Sequence, residues 1–330
     1  MPDQADEPSQ APLVSVVVVL YNSERLVRLS LEPLSKDPRL QLVMVDNAST
    51  DHSVEEVRSL LPSALVVRNE ENLGFARAVN IGVERASASY LLLLNPDAFL
   101  SPSTVIELIR SCDEEGCAAM APLVVPSSSE TKTIAAGRFP TVWRMFLHLS
   151  GLSRLPWHAL EGTYLTTRSA VRMTRKREVD WVSGACLLVR RDTWDRVGGL
   201  TERWFMYGED IEFCLRLHRS GELLILDPSI HVEHLEGESS QGVDGKLGTL
   251  WLTNLFDLYR TEISSGSVAS LLWRIVVISG YLTRFIVFQV VHSLNPKDLR
   301  SGRQRDRFLA YGRALVRWGR SGPTLGVRLK

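Results

Sequence analysis

Hydrophobic positions in the first hundred residues come in short unbroken runs, and between the runs they recur at helical spacing. Val14 to Leu20 reads VSVVVVL, a β-branched run without polar alternation, the pattern of a strand buried on both faces of a parallel sheet. Similar runs occupy 41–46, 65–68 and 90–95. Between them lie helical patterns, one opened by Ser53-Val-Glu-Glu56, which spells a capping box, and one over 75–85. Strand alternating with helix predicts an α/β fold with a doubly wound sheet flanked by helices.

Ser101-Pro102 predicts a helix start, with the helix running to about residue 115 and a strand at 118–125. From 126 to 179 the alternation fades into a Ser-rich turn, an aromatic and basic segment with Phe139, Trp143, Arg144 and Trp157, and a basic run at 172–177. This stretch is expected to be an insertion that shapes a binding face. Order returns with a strand at 181–190, a short helix from Asp192 stopped by Gly198-Gly199, a helix from about Gly208 to Gly221, and a strand near 223–226. HVEHLEGESS follows, and then an all-helical tail.

Composition adds three constraints. A 45% hydrophobic share with 23% charged residues describes a globular chain. The net charge is zero, yet 294–330 holds ten Lys or Arg against two Asp, so the tail is about +8 and the rest about −8. Four scattered cysteines form no zinc pattern and suit reduced thiols in a cytoplasmic protein. The first twelve residues are polar, acidic and Pro-rich, so a loose leader is expected there and not a secretory signal. Residues 268–294 are strongly apolar, but Arg274 and Arg284 divide them. A helix lying in a membrane interface and followed by the basic segment is the preferred reading, ahead of a packed helical subdomain or a span.

Ligands of open α/β sheets bind beyond the carboxyl ends of the strands. The first strand ends in Tyr21-Asn22-Ser23, with no glycine, which disfavours a dinucleotide fingerprint or a P-loop. Asp46 opens Asp46-Asn47-Ala48-Ser49-Thr50-Asp51 after the second; it could receive hydrogen bonds from a base or ribose, or simply begin a turn and helix cap. Asp97, on a Pro-stiffened turn after the fourth, suits a hard divalent ion or ordinary turn chemistry. MYGEDIEFCLRL (206–217) crowds three carboxylates at a helix front. Ile211, Cys214, Leu215 and His218 make an inward stripe, and Glu212 stands four residues before Arg216 as a surface ion pair. Glu209 and Asp210 lie in the first turn, where the helix dipole lowers the strength of a base.

The segments VVVVLYNS, VDNASTD, NLGFARAVNIGV, LLLLNPDA, DWVSGACLLVRRD and FMYGEDIEFCLRL, in this order and spacing, resemble the inverting glycosyltransferases of family 2 with a GT-A fold. Among these the chain is most similar to bacterial rhamnosyltransferases that act on polyprenyl-linked sugars, over roughly residues 13–240. The resemblance implies a leader at 1–12, a GT-A domain at 13–242 with an acceptor-side insertion at 126–179, and a helical, basic, membrane-associating extension at 243–330. It implies that Asp46 contacts the nucleotide base with Tyr21 and Asn22 close by, and that Asn72, Gly74, Arg77 and Asn80 line the donor. Asp97 matches the last acid of the metal-binding DxD motif, with Asn95 in place of the first. His234, in a segment similar to HxxGxS, would join Asp97 in holding Mg²⁺ or Mn²⁺, with His231 as the neighbouring candidate. Asp210 becomes the base and Glu209 a group that orients the base or the acceptor. Trp181, Ser183 and Gly184 would form the acceptor wall, with Trp181 either stacked on a pyranose or simply buried.

The activity implied is inverting transfer of a deoxyhexose, L-rhamnose by resemblance, from a dTDP-sugar to a polyprenyl-diphosphate-linked or other glycan of the cell envelope. A UDP-sugar transferase and a degenerate, non-catalytic glycan binder are the alternatives. Nucleotidyl transfer would need a Gly-rich basic loop where YNSERL stands. The expected place is the cytoplasm, peripheral on the inner face of the membrane, with no nucleic-acid partner; a homodimer stays open.

Overall fold

The computed structural model describes residues 11–126, 133–134, 136–155, 157–166, 173–235, 247–264 and 266–321. The apolar runs form one half of its sheet. β1 (Val14–Leu20), β2 (Leu40–Asp46), β3 (Leu65–Arg68) and β4 (Tyr90–Leu94) pair in parallel in the order β4-β1-β2-β3. Alternate residues are buried on opposite faces. Val17, Val43, Leu91 and Leu93 enter one core cluster, whereas Val16, Val18, Leu42, Met44, Leu92 and Leu94 enter the other. β1, β2 and β4 are covered on both sides and need no polar alternation, whereas β3 stands at the sheet's edge and is partly exposed.

β5 (Ala98–Phe99), β6 (Ala119–Pro126), β7 (Arg177–Glu178), β8 (Cys186–Arg190) and β9 (Leu224–His234) complete a nine-stranded mixed sheet of order β7-β9-β6-β8-β4-β1-β2-β3, with β5 paired to β9. Two departures from expectation shape the site. The strand predicted at 181–190 is broken: Trp181–Val182 pairs with Ala136–Gly137, and β8 starts only at Cys186. The break at Ser183-Gly184-Ala185 turns backbone toward the sheet's carboxyl end. β9 runs well past the predicted 223–226, because a register shift between Asp227 and His231 absorbs Pro228 and pairing with β6 then resumes.

The helices are α1 (Ser53–Leu60), α2 (Phe75–Glu84), α3 (Pro102–Glu115), α4 (Val142–Ser150), α5 (Arg191–Val197) and α6 (Glu209–Arg219). Ser101 caps α3 as predicted, accepting the Thr104 N–H at 3.2 Å. The capping box at Ser53 does not form. The Ser53 hydroxyl bonds to Asp51 and accepts the Ser23 N–H at 2.8 Å, while Glu56 pairs with Arg28 at 2.9 Å. A tertiary partner outcompeted the local motif. In α6 the buried side chains are Ile211, Phe213, Cys214, Leu215 and Leu217, and His218 is exposed, which corrects the predicted stripe.

The tail folds into α7 (Leu250–Leu258), α8 (Ser267–Leu294) and α9 (Leu299–Ser321). Leu252, Trp273, Val277 and Leu315 belong to the same core cluster as Leu91 and Leu93 of the sheet, and the Trp273 indole N–H donates to Pro140 O at 2.7 Å. The two arginines that seemed to interrupt α8 turn toward the protein. Arg274 donates to Leu315 O at 3.1 Å and Arg284 to His148 O at 2.9 Å. The outer face is therefore uncharged and mostly apolar, with Leu271, Ile275, Leu282, Ile286, Val290 and Leu294 each about half exposed or more and Ser279, Thr283, Gln289 and Ser293 exposed among them. By length and composition α8 suffices to cross a membrane, and one side of it is packed against α4 and α9.

Candidate active site

Registration of the parallel strands fixes the site. Leu20 pairs with Asp46 and Val18 with Leu94, so the chain leaves β1, β2 and β4 at one edge of the sheet. There a cleft of about 340 Å³ is lined by Tyr21, Asn72, Gly74, Asn95, Ser183, Gly184, Glu209, Asp210 and His234, all expected, and by Asn47 and Tyr207, which were not. Non-glycine residues with left-handed backbone occur at Asn22 (φ 52°), Ala48 (φ 64°) and Tyr207 (φ 69°), beside the lining residues Tyr21 and Asn47 or, for Tyr207, in the lining itself. Such conformations are costly for residues with a Cβ and cluster where function constrains the chain.

The other expected donor residues stand behind the lining. Asp46 is fully buried, accepts the Ser49 N–H at 3.1 Å and faces Arg68 Nε at 3.3 Å. Asn22 accepts the Thr50 N–H at 2.8 Å, tying the first loop to the second. Asn80 exchanges hydrogen bonds with the Leu200 backbone at 2.9 and 3.0 Å, and Arg77 faces Glu202 at 3.9 Å. Both join α2 to the segment before α6. Asn47 holds the 69–74 loop. Its amide donates to Asn72 Oδ1 at 2.7 Å and Gly74 O at 3.2 Å, and its carbonyl accepts the Leu73 N–H at 3.0 Å.

Asp97 and His234 meet because β5 runs antiparallel to β9, which sets His234 opposite Ala98. His234 Nε2 lies 2.8 Å from Asp97 Oδ1, with the Asn95 amide 3.5 Å away. Asp97 is fully buried. Adjacent ligands of an octahedral Mg²⁺ with bonds near 2.1 Å stand about 3 Å apart, so the spacing of these two donors suits a hard divalent ion whose remaining ligands are phosphate oxygens and water. Among the described residues no group of three potential ligands assembles. His231 also lies on β9, and Gly237 and Ser239 fall outside the described residues.

Glu209 and Asp210 open α6 after Gly208, whose φ of 106° suits only glycine. Asp210 accepts the N–H groups of Ile211 at 2.8 Å and Gly184 at 3.4 Å, so the broken strand positions it. Burial raises the Asp210 pKa against those backbone donors. Burial, with the Asp210 charge second, pushes Glu209 up to about 8. The helix-start effect expected to weaken these carboxylates as bases is worth only about 0.3–1 kcal/mol at exposed positions, and desolvation overrides it here. Glu209 Oε2 is buried with no hydrogen-bond partner, and with its pKa pushed to about 8 the proton distribution at neutral pH favours neutral Glu209.

That distribution gives a stability prediction. The folded pKa of Glu209 lies above its ordinary value, so the folded state binds a proton that the unfolded state has released, and stability declines from about pH 4.5 to about pH 8. Glu209→Gln keeps the neutral form. It should stabilise the protein relative to wild type at pH 8 and have little effect near pH 4, as read by urea unfolding. An identical difference at both pH values would contradict the assignment.

Three further findings complete the site. Glu212 pairs with Arg216 through two 2.7 Å contacts as expected, but the pair is not a surface one: Glu212 is 8% exposed, and Arg216 also donates to Gly199 O at 2.7 Å. Trp181 is buried, and its indole N–H reaches Arg138 O and Thr163 O at 3.0 and 3.1 Å, so it supports the wall from behind. The loop before α6 is held from α7. Asn254 donates to Met206 O and Tyr207 O at 2.8 and 3.0 Å, and Asp257 accepts from Arg203 and Trp204 at 2.7 and 3.1 Å. The readable signal was two polar residues in the apolar run LWLTNLFDL.

The sequence model of Glycosyl transferase family 2 matches residues 15–180. The chain is 28% identical over 253 residues to N-acetylglucosaminyl-diphospho-decaprenol L-rhamnosyltransferase of Mycobacterium tuberculosis, covering 69% of this chain and 78% of that protein. It is 24% identical over 231 residues to Rhamnosyltransferase WbbL of Escherichia coli K12, covering 67% and 83%. Among solved structures, the mannosyltransferase PcManGT from Pyrobaculum calidifontis, in complex with GDP-Man and Mn²⁺, superposes with a TM-score of 0.53 at 15% identity, covering 96% of this chain and 89% of that one. The fold is thus GT-A, as the resemblance implied.

Proposed function

The chain belongs to glycosyl transferase family 2 and is a glycosyltransferase, and on that premise we propose that it transfers L-rhamnose with inversion from a dTDP-sugar to a polyprenyl-diphosphate-linked glycan. The observation that carries this reading is the Asp210 carboxylate on a rigid helix start, across one cleft from the strand-end residues that would hold a nucleotide sugar. Inverting transfer is a single displacement. A base takes the proton of the acceptor hydroxyl as that oxygen attacks the anomeric carbon opposite the departing diphosphate. Asp210 is the base, its oxygens aimed by the Ile211 and Gly184 N–H groups. Neutral Glu209 beside it offers a proton to hydrogen-bond the acceptor. Asn47, Asn72 and Tyr21 form the donor side.

Asp97 and His234 would hold a divalent ion, Mg²⁺ or Mn²⁺, which supplies charge neutralisation at the leaving diphosphate. The sugar is supported by the activities of both relatives and the lipid-linked acceptor by that of the mycobacterial one. A membrane-borne acceptor also suits the tail, and on this reading the protein works at the cytoplasmic face of the membrane. Each half-exposed Leu, Ile or Val of the α8 face gains about 1 kcal/mol on leaving water, and basic α9 adds attraction to anionic lipid.

Nucleotide release tests this reading. With acceptor presented in anionic vesicles, dTDP-rhamnose should outpace UDP- and GDP-sugars, and EDTA should suppress release. Replacing Ile275 and Ile286, each about half exposed, by Glu should remove vesicle-borne turnover and leave slow hydrolysis of the donor unchanged. Preference for another nucleotide, or full turnover by the double variant, would contradict the donor or the membrane assignment respectively.

A further inference from the structure

A second cavity, of about 910 Å³, opens between α4, α8 and α9. Arg154 follows α4, Arg284 lies on α8, and Arg300 and Arg307 lie on α9; none of the described residues lining the cavity is acidic. Arg284 is partly buried. It donates to His148 O at 2.9 Å and lies over the Phe308 ring at 5.7 Å, and among the described residues no carboxylate faces it, nor Arg154 or Arg307. The neighbouring His148 contributes no charge, since burial, then Arg284 and Arg154, push it down to about 4. Holding a guanidinium partly out of water with no counter-charge is costly. A cluster of arginines facing one cavity is the usual arrangement for a phosphate or diphosphate.

Two connections narrow the ligand. Tyr164 in the cavity wall meets Trp181 edge-on at 5.3 Å, and Trp181 leads through Ser183 to Gly184, whose N–H contacts Asp210. On the other side, Val287 lines the cavity and is also 52% exposed on the apolar face of α8. The cavity therefore lies between the base and an apolar surface.

We propose that this cavity binds the diphosphate of the lipid-linked acceptor, with the prenyl chain along the outer face of α8 and the sugar directed past Tyr164 toward Asp210. The proposal rests on the reading that the acceptor is a polyprenyl diphosphate. Arginine geometry here selects by charge and leaves the acceptor sugar to the cleft.

Calorimetric titration of the full chain with farnesyl diphosphate, farnesol and dTDP tests it. Wild type should bind farnesyl diphosphate well ahead of farnesol. Arg154→Glu combined with Arg307→Glu, both exposed positions, should weaken farnesyl diphosphate at least tenfold and leave dTDP unchanged. Arg284→Gln should weaken it as well, and a normal urea midpoint in the double variant separates binding from folding. Unchanged farnesyl diphosphate affinity in the double variant would overturn the proposal, as would absence of binding to wild type. Loss confined to phosphatidylglycerol vesicles would also overturn it and assign the arginines to bilayer headgroups. Failure of the transferase reading would show separately, as no nucleotide release by wild type, a result on which these titrations do not depend.

Discussion

Asp210→Asn is expected to reduce sugar transfer on the order of 10³-fold, the scale of a lost general base, while affinity for the nucleotide sugar stays at the wild-type value. Asn is isosteric and retains an oxygen for the Ile211 N–H, now at 2.8 Å, so α6 should start as before. The weaker 3.4 Å contact from Gly184 is a backbone bond at risk. On the proposed reading the donor contacts belong to Tyr21, Asn47 and Asn72, which line the cleft and which the substitution does not touch. The check pairs turnover on a lipid-linked acceptor with calorimetric donor binding. Weakened donor binding with turnover per bound donor retained would remove Asp210 from the role of base.

Gly74→Ala should disable the protein by a different route. A Cβ at this position would stand 2.2 Å from Phe205 O, a backbone atom with nowhere to retreat, and φ is +84°. The Phe75 N–H already donates to that same carbonyl at 3.0 Å, so the start of α2 is locked to the segment leading into Glu209 and Asp210. Steric overlap and a left-handed alanine together should cost on the order of 3 kcal/mol. Relief would come by separating the two halves of the cleft, so donor affinity and transfer should fall together. Urea unfolding and donor titration measure the two effects. An alanine variant with wild-type stability and affinity would show that the contact yields freely.

The central sheet was legible because strands covered on both faces leave a signal that no neighbour can mask, as in VSVVVVL and YLLLL. Asp97, His234 and Asp210 were legible from the resemblance, but their geometry was not. Asp97 meets His234 only because β9 continues far beyond its apolar start, past a register shift that local pattern hides. The break at Ser183-Gly184-Ala185 was hidden inside what reads as one strand, and it supplies the N–H that aims Asp210. Long-range polar contacts were equally invisible. Asn47 organises a loop more than twenty residues away, and Asn254 and Asp257 reach back from α7 to the segment before α6. Arg274 and Arg284 misled for a related reason. A charge within an apolar run reads as an interruption until packing shows which side of the helix carries it.

The central claim is a single displacement at the anomeric carbon with Asp210 as the base. NMR of the reaction as it proceeds tests this, because the one-bond coupling between C1 and H1 reports the anomeric configuration of the first product formed. The account predicts a transferred sugar of configuration opposite to that in the donor, formed by wild type and not by Asp210→Asn. A first product that retains the donor's configuration would contradict it.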